Sequence, residues 1–166
     1  AVPANGVITI NVGGALNATG AYGSVTAWLG SGKIYAYSQG SLALTGNSSE
    51  TIDMSGHYYL SLGAAGDYSY SGTLTPYSNT YRLGGGGGTL TVSGALTGSR
   101  SVSIYGDVIF TGTKNYSLGT NINAGATLQV GSGGADGAIG GGSIYNDGSL
   151  AINCTNSIVV NDCMYG

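Results

Sequence analysis

The residues that could support catalysis are few and lie far apart in the chain. His57 is the single histidine and follows Asp53 by four residues. On a helix that spacing places two side chains on one face, as a metal site or a general-base pair would need. The surrounding residues predict strands and turns instead, and there the spacing gives no common face. We therefore interpret the pair as structural or solvent-exposed.

Paired carboxylates could cleave a glycosidic bond, as they do in β-helical polysaccharide enzymes. The acidic residues here are scattered, and the Asp-Gly pairs at 136–137 and 147–148 are typical of turns. Residues 133–137 weakly match a calcium-binding coil, but no second copy completes that site. We expect no catalytic residue, no cofactor and no metal. The acids are Glu50, Asp53, Asp67, Asp107, Asp136, Asp147 and Asp162.

A run of five glycines, Gly84 to Gly88, contains several nucleotide-binding fingerprints by composition alone. A phosphate loop needs a helix after it, and the P-loop needs Lys followed by Ser or Thr. Residues 89–92 (TLTV) predict a strand, so we interpret the run as a wide turn.

Thr-x-Thr motifs begin at Thr73, Thr89 and Thr111, and their unequal spacing argues against an aligned ice-binding array.

Cys154 and Cys163 are the only cysteines. An even pair in a secreted chain favours a disulfide, which for so short a loop contributes roughly 2–3 kcal/mol. The bond could equally join two subunits.

Composition narrows the function classes. The net charge is −3 and the pI is near 4.5, which argues against nucleic acid, because that partner demands a cationic face. No apolar run approaches the roughly 20 residues that span a bilayer, so membrane insertion is not expected. Only 7% of the residues are charged, whereas Tyr, Ser, Thr and Asn are abundant. Such a composition is common in secreted or cell-surface material.

Short runs of alternating apolar and polar residues recur between Gly, Asn and Ser, as in residues 7–12, 101–105 and 127–130. They predict an all-β fold with almost no helix. We expect a single domain, a right-handed parallel β-helix (β-solenoid) over residues 1–166; a β-sandwich is the alternative, but large facing side chains are scarce. Residues 1–46 are less periodic and would form a cap, an outer strand layer or a partner-contact region.

Three stretches carry a family resemblance: residues 79–92 (NTYRLGGGGGTLTV), 106–131 (GDVIFTGTKNYSLGTNINAGATLQVG) and 146–153 (NDGSLAIN). The second resembles the passenger-associated transport repeat, also called the autotransporter-associated β-strand repeat, with its Gly-bounded strand, Asn-Tyr turn and final Leu-Gln-Val-Gly. The resemblance covers at most residues 66–162. It implies a right-handed parallel β-helix of bacterial surface or secreted proteins, without catalytic residues.

The function expected from the sequence is a non-enzymatic extracellular structural protein of bacterial origin, a solenoid subunit that self-associates as a homo-oligomer or homopolymer, in a surface filament or sheath. The alternative is an adhesin or carbohydrate-binding module that contacts a surface glycan. A polysaccharide-cleaving β-helix ranks last. Tyrosine is enriched at interfaces, so the predicted subunit or ligand contacts are Trp28, Tyr58, Tyr59, Tyr68, Tyr70, Tyr77 and Tyr81.

Overall fold

The computed structural model describes residues 6–160 and 162–166, and its regular structure is almost entirely β. One six-residue helix, α1 (Val25–Gly30), lies between the first two strands. The strands are β1 (Ala15–Asn17), β2 (Ser41–Leu44), β3 (Ile52–Asp53), β4 (Ser61–Ala64), β5 (Tyr68–Tyr70), β6 (Leu74–Thr75), β7 (Thr80–Leu83), β8 (Leu90–Val92), β9 (Leu96–Gly98), β10 (Ser101–Ile104), β11 (Asp107–Phe110), β12 (Lys114–Tyr116), β13 (Thr120–Ile122), β14 (Thr127–Val130), β15 (Ile144–Asn146), β16 (Ser149–Ile152) and β17 (Met164–Tyr165).

The strands form the faces of a coil. The large sheet has the order β1-β2-β4-β7-β10-β13-β15-β17, and the second face has the order β16-β14-β11-β8-β5. Two short pairs, β3-β6 and β9-β12, belong to the third side. Every described strand pair is parallel and joins successive coils, which makes the fold a β-solenoid of about six turns. The predicted solenoid is confirmed, and the alternative β-sandwich is wrong because its sheets would be antiparallel.

Alternation along each strand explains the core. In β10 and β14 every second residue is buried, because successive side chains point to opposite faces. The parallel register then stacks side chains of similar type on one another along the coil axis. In one row of the large sheet, five successive positions are apolar and fully buried, and the next position is Asn146. The five are Leu42, Leu62, Leu83, Ile104 and Ile122.

The N-terminal part contributes both sheet and helix. Strands β1 and β2 pair with each other and continue the large sheet, so residues 15–44 belong to the solenoid stack. The helix begins after Ser24, whose Oγ accepts a hydrogen bond from the Ala27 amide at 3.2 Å, and packs against β2 and β3. Residues 1–5 of the predicted cap lie outside the described residues, and the capping role stays a prediction.

Among the described residues α1 is the one helix, and with six residues it is far too short to cross a lipid bilayer.

Candidate ligand-binding groove

A groove of about 800 Å³ crosses the outer face of the large sheet. Six successive coils contribute residues to it. Each of these residues lies just before a strand, at its first position or just after its last position. Because parallel pairing stacks the coils on one another, residues more than 80 positions apart in sequence meet in one depression. The lining residues are Val12, Gly13, Gly14, Gln39, Gly40, Ser41, Tyr59, Ser61, Gly84, Gly85, Tyr105, Asn123 and Ala124.

The glycine run shapes one side of the groove. After β7 the chain runs over the outer surface of β4, and Gly84 to Gly87 all adopt φ between 89° and 96°. Residues other than glycine are strained at such positive φ angles. A Cβ at Gly63 in β4 would collide with the carbonyl oxygen of Gly85, so the close crossing needs glycine on both segments. The predicted wide turn is therefore observed, and it lies flat on the sheet.

Hydrogen bonds hold this glycine segment in place. The Gly84 amide donates to the carbonyl of Leu62 at 2.8 Å, and the Ser61 hydroxyl donates to the carbonyl of Gly84 at 2.9 Å. The Ala64 amide donates to the Gly85 carbonyl at 2.9 Å. The segment thus extends the sheet's hydrogen bonding and presents a fixed backbone surface to the groove.

The floor of the groove contains an unsatisfied hydroxyl. Ser41 is only 3% exposed, and its Oγ is buried with no hydrogen-bond partner in the structure. Buried polar groups are almost always hydrogen-bonded, and an unpaired one costs about 1–3 kcal/mol. Ser41 lies beneath Gly85, next to Ser61 in the adjacent coil. A ligand or water that reached it from the groove would remove that cost.

Two half-exposed tyrosines line the groove. Tyr59 precedes β4 and Tyr105 follows β10, and they are 49% and 48% exposed. Among the described residues, Tyr105 contacts no other aromatic ring and no cation. Tyr59 has the Arg82 guanidinium 5.9 Å from its ring centroid. The Asn123 side-chain amide donates to the Ile104 carbonyl at 2.7 Å, which fixes its orientation at the groove edge.

The groove lining is mainly apolar, includes several hydrogen-bonding groups and carries no charged side chain. Its hydrogen-bonding groups are two serine hydroxyls, two side-chain amides, two phenols and glycine backbone. Such a surface can donate and accept hydrogen bonds without a strong electrostatic field.

A second surface feature lies along the corner before the large sheet, and we call it the tyrosine ladder: Tyr35, Tyr37, Tyr58 and Tyr77. The rings of Tyr37 and Tyr58 are parallel, with 2° between planes and 4.4 Å between centroids. Tyr35 and Tyr77 extend the ladder at 5.5 Å and 4.4 Å. A hydrogen bond with Tyr58, followed by its charge, raises the pKa of Tyr37.

Three of the predicted contact residues are not surface residues, and this corrects the prediction. Trp28, Tyr70 and Tyr81 are at most 3% exposed. Their polar atoms are satisfied internally: the Trp28 indole donates to the Thr19 carbonyl at 3.0 Å, and the Tyr81 hydroxyl donates to Thr97 at 3.2 Å. Tyrosine and tryptophan fill the interior here because small aliphatic side chains leave space that only large rings can occupy. A side chain buried in this way cannot contact a subunit or ligand.

The other four predicted contacts lie at the surface. Tyr58, Tyr68 and Tyr77 are half-buried, and Tyr59 is exposed. Tyr58 and Tyr77 belong to the tyrosine ladder, and Tyr59 reaches the groove. Their role as contacts stays a prediction.

The predicted disulfide within the chain is not formed. Cys154 is half-buried after β16, Cys163 is exposed before β17, and both are free thiols. The two residues lie in different coils, since β17 pairs with β15 and not with β16. The alternative bond between subunits stays a prediction.

Of the remaining candidates, Asp53 and His57 are brought together at one cavity. Asp53 and His57 both border a separate shallow cavity of about 330 Å³, but the Asp53 pKa is lowered mainly by hydrogen bonds from Ser55, and burial lowers the His57 pKa. Asp136 is bound by Ser132 within its own turn. Across residues 6–160 and 162–166, no three His, Cys, Asp or Glu side chains cluster at metal-binding distance.

Sequence reasoning missed most of the groove. Gln39, Ser41, Ser61, Tyr105 and Asn123 lie in four different coils, since only Gln39 and Ser41 share one. The one usable signal was the glycine run, because consecutive glycines indicate close backbone approach.

Comparisons with known proteins return no match of this chain to a family model, a curated protein or a solved structure. The resemblance to the passenger-associated transport repeat therefore stays a prediction.

Proposed function

We propose that this chain is a non-enzymatic β-solenoid module of the bacterial cell surface or extracellular space that binds a neutral glycan in its groove. The observation that carries the proposal is the lining of the groove: two half-exposed tyrosines and uncharged hydrogen-bonding groups along about 800 Å³. The volume lies within the range of known ligand sites, roughly 300–1,000 Å³.

Sugars match this surface chemically. A pyranose presents C–H groups on its faces, and these carry a small positive charge that is attracted to the negative face of an aromatic ring. Its equatorial hydroxyls both donate and accept hydrogen bonds, which suits the amides of Gln39 and Asn123 and the unpaired hydroxyl of Ser41. The half-exposed ring of Tyr105, which has no aromatic or cationic neighbour, offers a surface for stacking.

Charge favours a neutral ligand over an anionic one. No cation lines the groove, and Arg82 is half-buried beside the ring of Tyr59. Binding is favoured over cleavage because hydrolysis by acid–base chemistry requires two facing carboxylates, and the groove lining includes none.

The test is binding of neutral and anionic oligosaccharides to the purified chain, by glycan array followed by calorimetry. We expect neutral glycans to bind, and Tyr105→Ala to weaken binding by about tenfold, the loss of one stacking contact of roughly 1.4 kcal/mol. Tyr145→Ala is the matched control, because Tyr145 is 54% exposed on the same sheet but outside the groove lining. Exclusive binding of anionic glycans, or equal affinity of Tyr105→Ala, would refute the proposal.

Self-association is a second candidate, favoured by the tyrosine ladder. Tyr35 and Tyr37 are 44% and 48% exposed and form a continuous aromatic strip with their neighbours, the kind of surface enriched at protein interfaces. Negative-stain electron microscopy with and without reductant tests it. Filaments or sheets would support assembly, and their loss on reduction would assign Cys154 and Cys163 to subunit joints. Monomers by light scattering at high concentration would exclude this candidate.

A further inference from the structure

The tyrosine ladder holds one pair of rings in an arrangement suited to covalent coupling. Tyr37 and Tyr58 lie in successive coils, and the Tyr58 amide donates to the carbonyl of Ala36 at 2.9 Å, which holds the two backbones side by side. Their rings are 4.4 Å apart and 2° from parallel. At that separation and angle the two rings are stacked face to face, so carbons of one ring lie against carbons of the other.

We propose that the Tyr37–Tyr58 pair is a modification site, at which a one-electron oxidant joins the two rings as dityrosine and links two consecutive coils. This inference is independent of glycan binding, because neither residue lines the groove.

The chemistry balances with a peroxide as oxidant. Each phenol loses one electron and one proton and becomes a phenoxyl radical. The two radicals form a carbon–carbon bond between their Cε atoms, next to the hydroxyls, and each displaced ring hydrogen moves to its oxygen and restores the aromatic ring. Two hydrogen atoms leave the pair in all, and one hydrogen peroxide, activated by a haem peroxidase, is reduced to two waters.

The geometry distinguishes this pair from its neighbours in the ladder. Tyr58 and Tyr77 have the same centroid separation, but their planes are 49° apart, so only one ring edge approaches the other. Tyr35 and Tyr37 are 5.5 Å apart and tilted by 45°. Tyr35 and Tyr37 are both about half exposed, so the oxidant can reach the ladder from solvent. Radicals formed at Tyr35 can pass to Tyr37 through ring contact.

The experiment treats dilute purified chain with a haem peroxidase and hydrogen peroxide, then maps peptides by mass spectrometry. Cleavage after Lys33, Glu50 and Arg82 separates Tyr37, in peptide 34–50, from Tyr58, in peptide 51–82. The expected product is one species from monomeric protein with the summed mass of both peptides less two hydrogen atoms. Fragment ions should place the bond at positions 37 and 58.

Variants decide which residues react. Tyr37→Phe keeps the ring and its packing but cannot form a phenoxyl radical, so it should remove the linked species. Tyr35→Phe and Tyr105→Phe should retain it, and oxidation in urea should abolish it because the rings are no longer held together. The proposal fails if the linked species persists in Tyr37→Phe, if only links between molecules form, or if none forms.

Discussion

Two regions of the coil interior differ in what they can bury. The inward row of the large sheet, from Leu42 to Ile122, is entirely aliphatic. At the corner where the third side begins, Leu96 is the first residue of β9 and is buried. In the next coil the paired position, the first of β12, is Lys114, which is only 2% exposed. One position is thus filled by leucine and by lysine in consecutive coils.

The backbone explains the difference. In the large sheet, the carbonyls of Leu62 and Leu83 accept hydrogen bonds from amides of the following coil, both at 2.8 Å, so they are directed along the coil axis and not into the core. At the corner the chain turns out of the sheet, and the Lys114 ammonium donates to the carbonyls of Gly94 at 3.0 Å and Thr113 at 3.3 Å, and to that of Thr111. A solenoid of this kind therefore tolerates buried polar groups at its corners and excludes them from the middle of its strands.

The largest expected effect comes from placing a lysine, the residue found at the corner, in the middle of the large sheet. Leu83→Lys should lower the free energy of unfolding by about 3–5 kcal/mol or prevent folding, because a buried ammonium there would have no acceptor. Leu83→Met, with similar volume and no charge, should cost less than about 1.5 kcal/mol. Both are measured by chemical denaturation. A mild effect of Leu83→Lys would show that the sheet can satisfy a buried cation after all.

The reverse exchange should stabilise the protein. Burial without a counter-ion lowers the pKa of Lys114 to about 8. Lys114→Met removes that desolvation penalty and should raise the free energy of unfolding at pH 7 by up to about 3 kcal/mol. The same comparison at pH 10 is the control, because Lys114 is then neutral and the gain should shrink. Destabilisation at pH 7 would mean that the three carbonyl hydrogen bonds outweigh desolvation.

The same lysine predicts a pH dependence with a definite sign. Its pKa is lower folded than unfolded, so between pH 8 and about 10.5 the unfolded chain binds more protons and stability rises with pH, by about 2 kcal/mol up to pH 10. Burial raises the pKa of Tyr70 and Tyr116 to about 12, so above about pH 10 the unfolded chain loses protons first and stability falls. Denaturation midpoints from pH 7 to 11 should show this maximum. Lys114→Met should lack the rise and retain the fall.

The smallest expected effect tests a neutral polar group at a corner. The Tyr70 hydroxyl donates to the carbonyls of Glu50 and Thr73, both at 2.8 Å. Tyr70→Phe should lower the free energy of unfolding by about 1 kcal/mol, the typical contribution of a hydrogen bond. Tyr145→Phe, at an exposed position, is the control and should change it little. A loss as large as that of Leu83→Lys would erase the distinction between corner and sheet.

Part of the groove could be anticipated from the chain, and part could not. Consecutive glycines at 84–88 indicated a close backbone crossing, and Tyr59 was expected to be a contact residue. Tyr105 and Asn123 gave no local signal, because their place beside Ser41 depends on the number of residues in each intervening coil. Those numbers vary, from 18 between Val102 and its partner Thr120 to 21 between Thr80 and its partner Ser101.

The sequence by itself determined the class of fold, because period-two alternation with Gly and Asn at the turns suits short strands and little else. It also determined the low charge that shapes the groove. Only the tertiary structure decided which tyrosines lie inside and which outside, since Tyr70 and Tyr81 are buried while Tyr59 and Tyr105 are exposed. The physical reason is register: the face to which a side chain points depends on the pairing of its strand with the coils above and below, and a shift of one residue would reverse it.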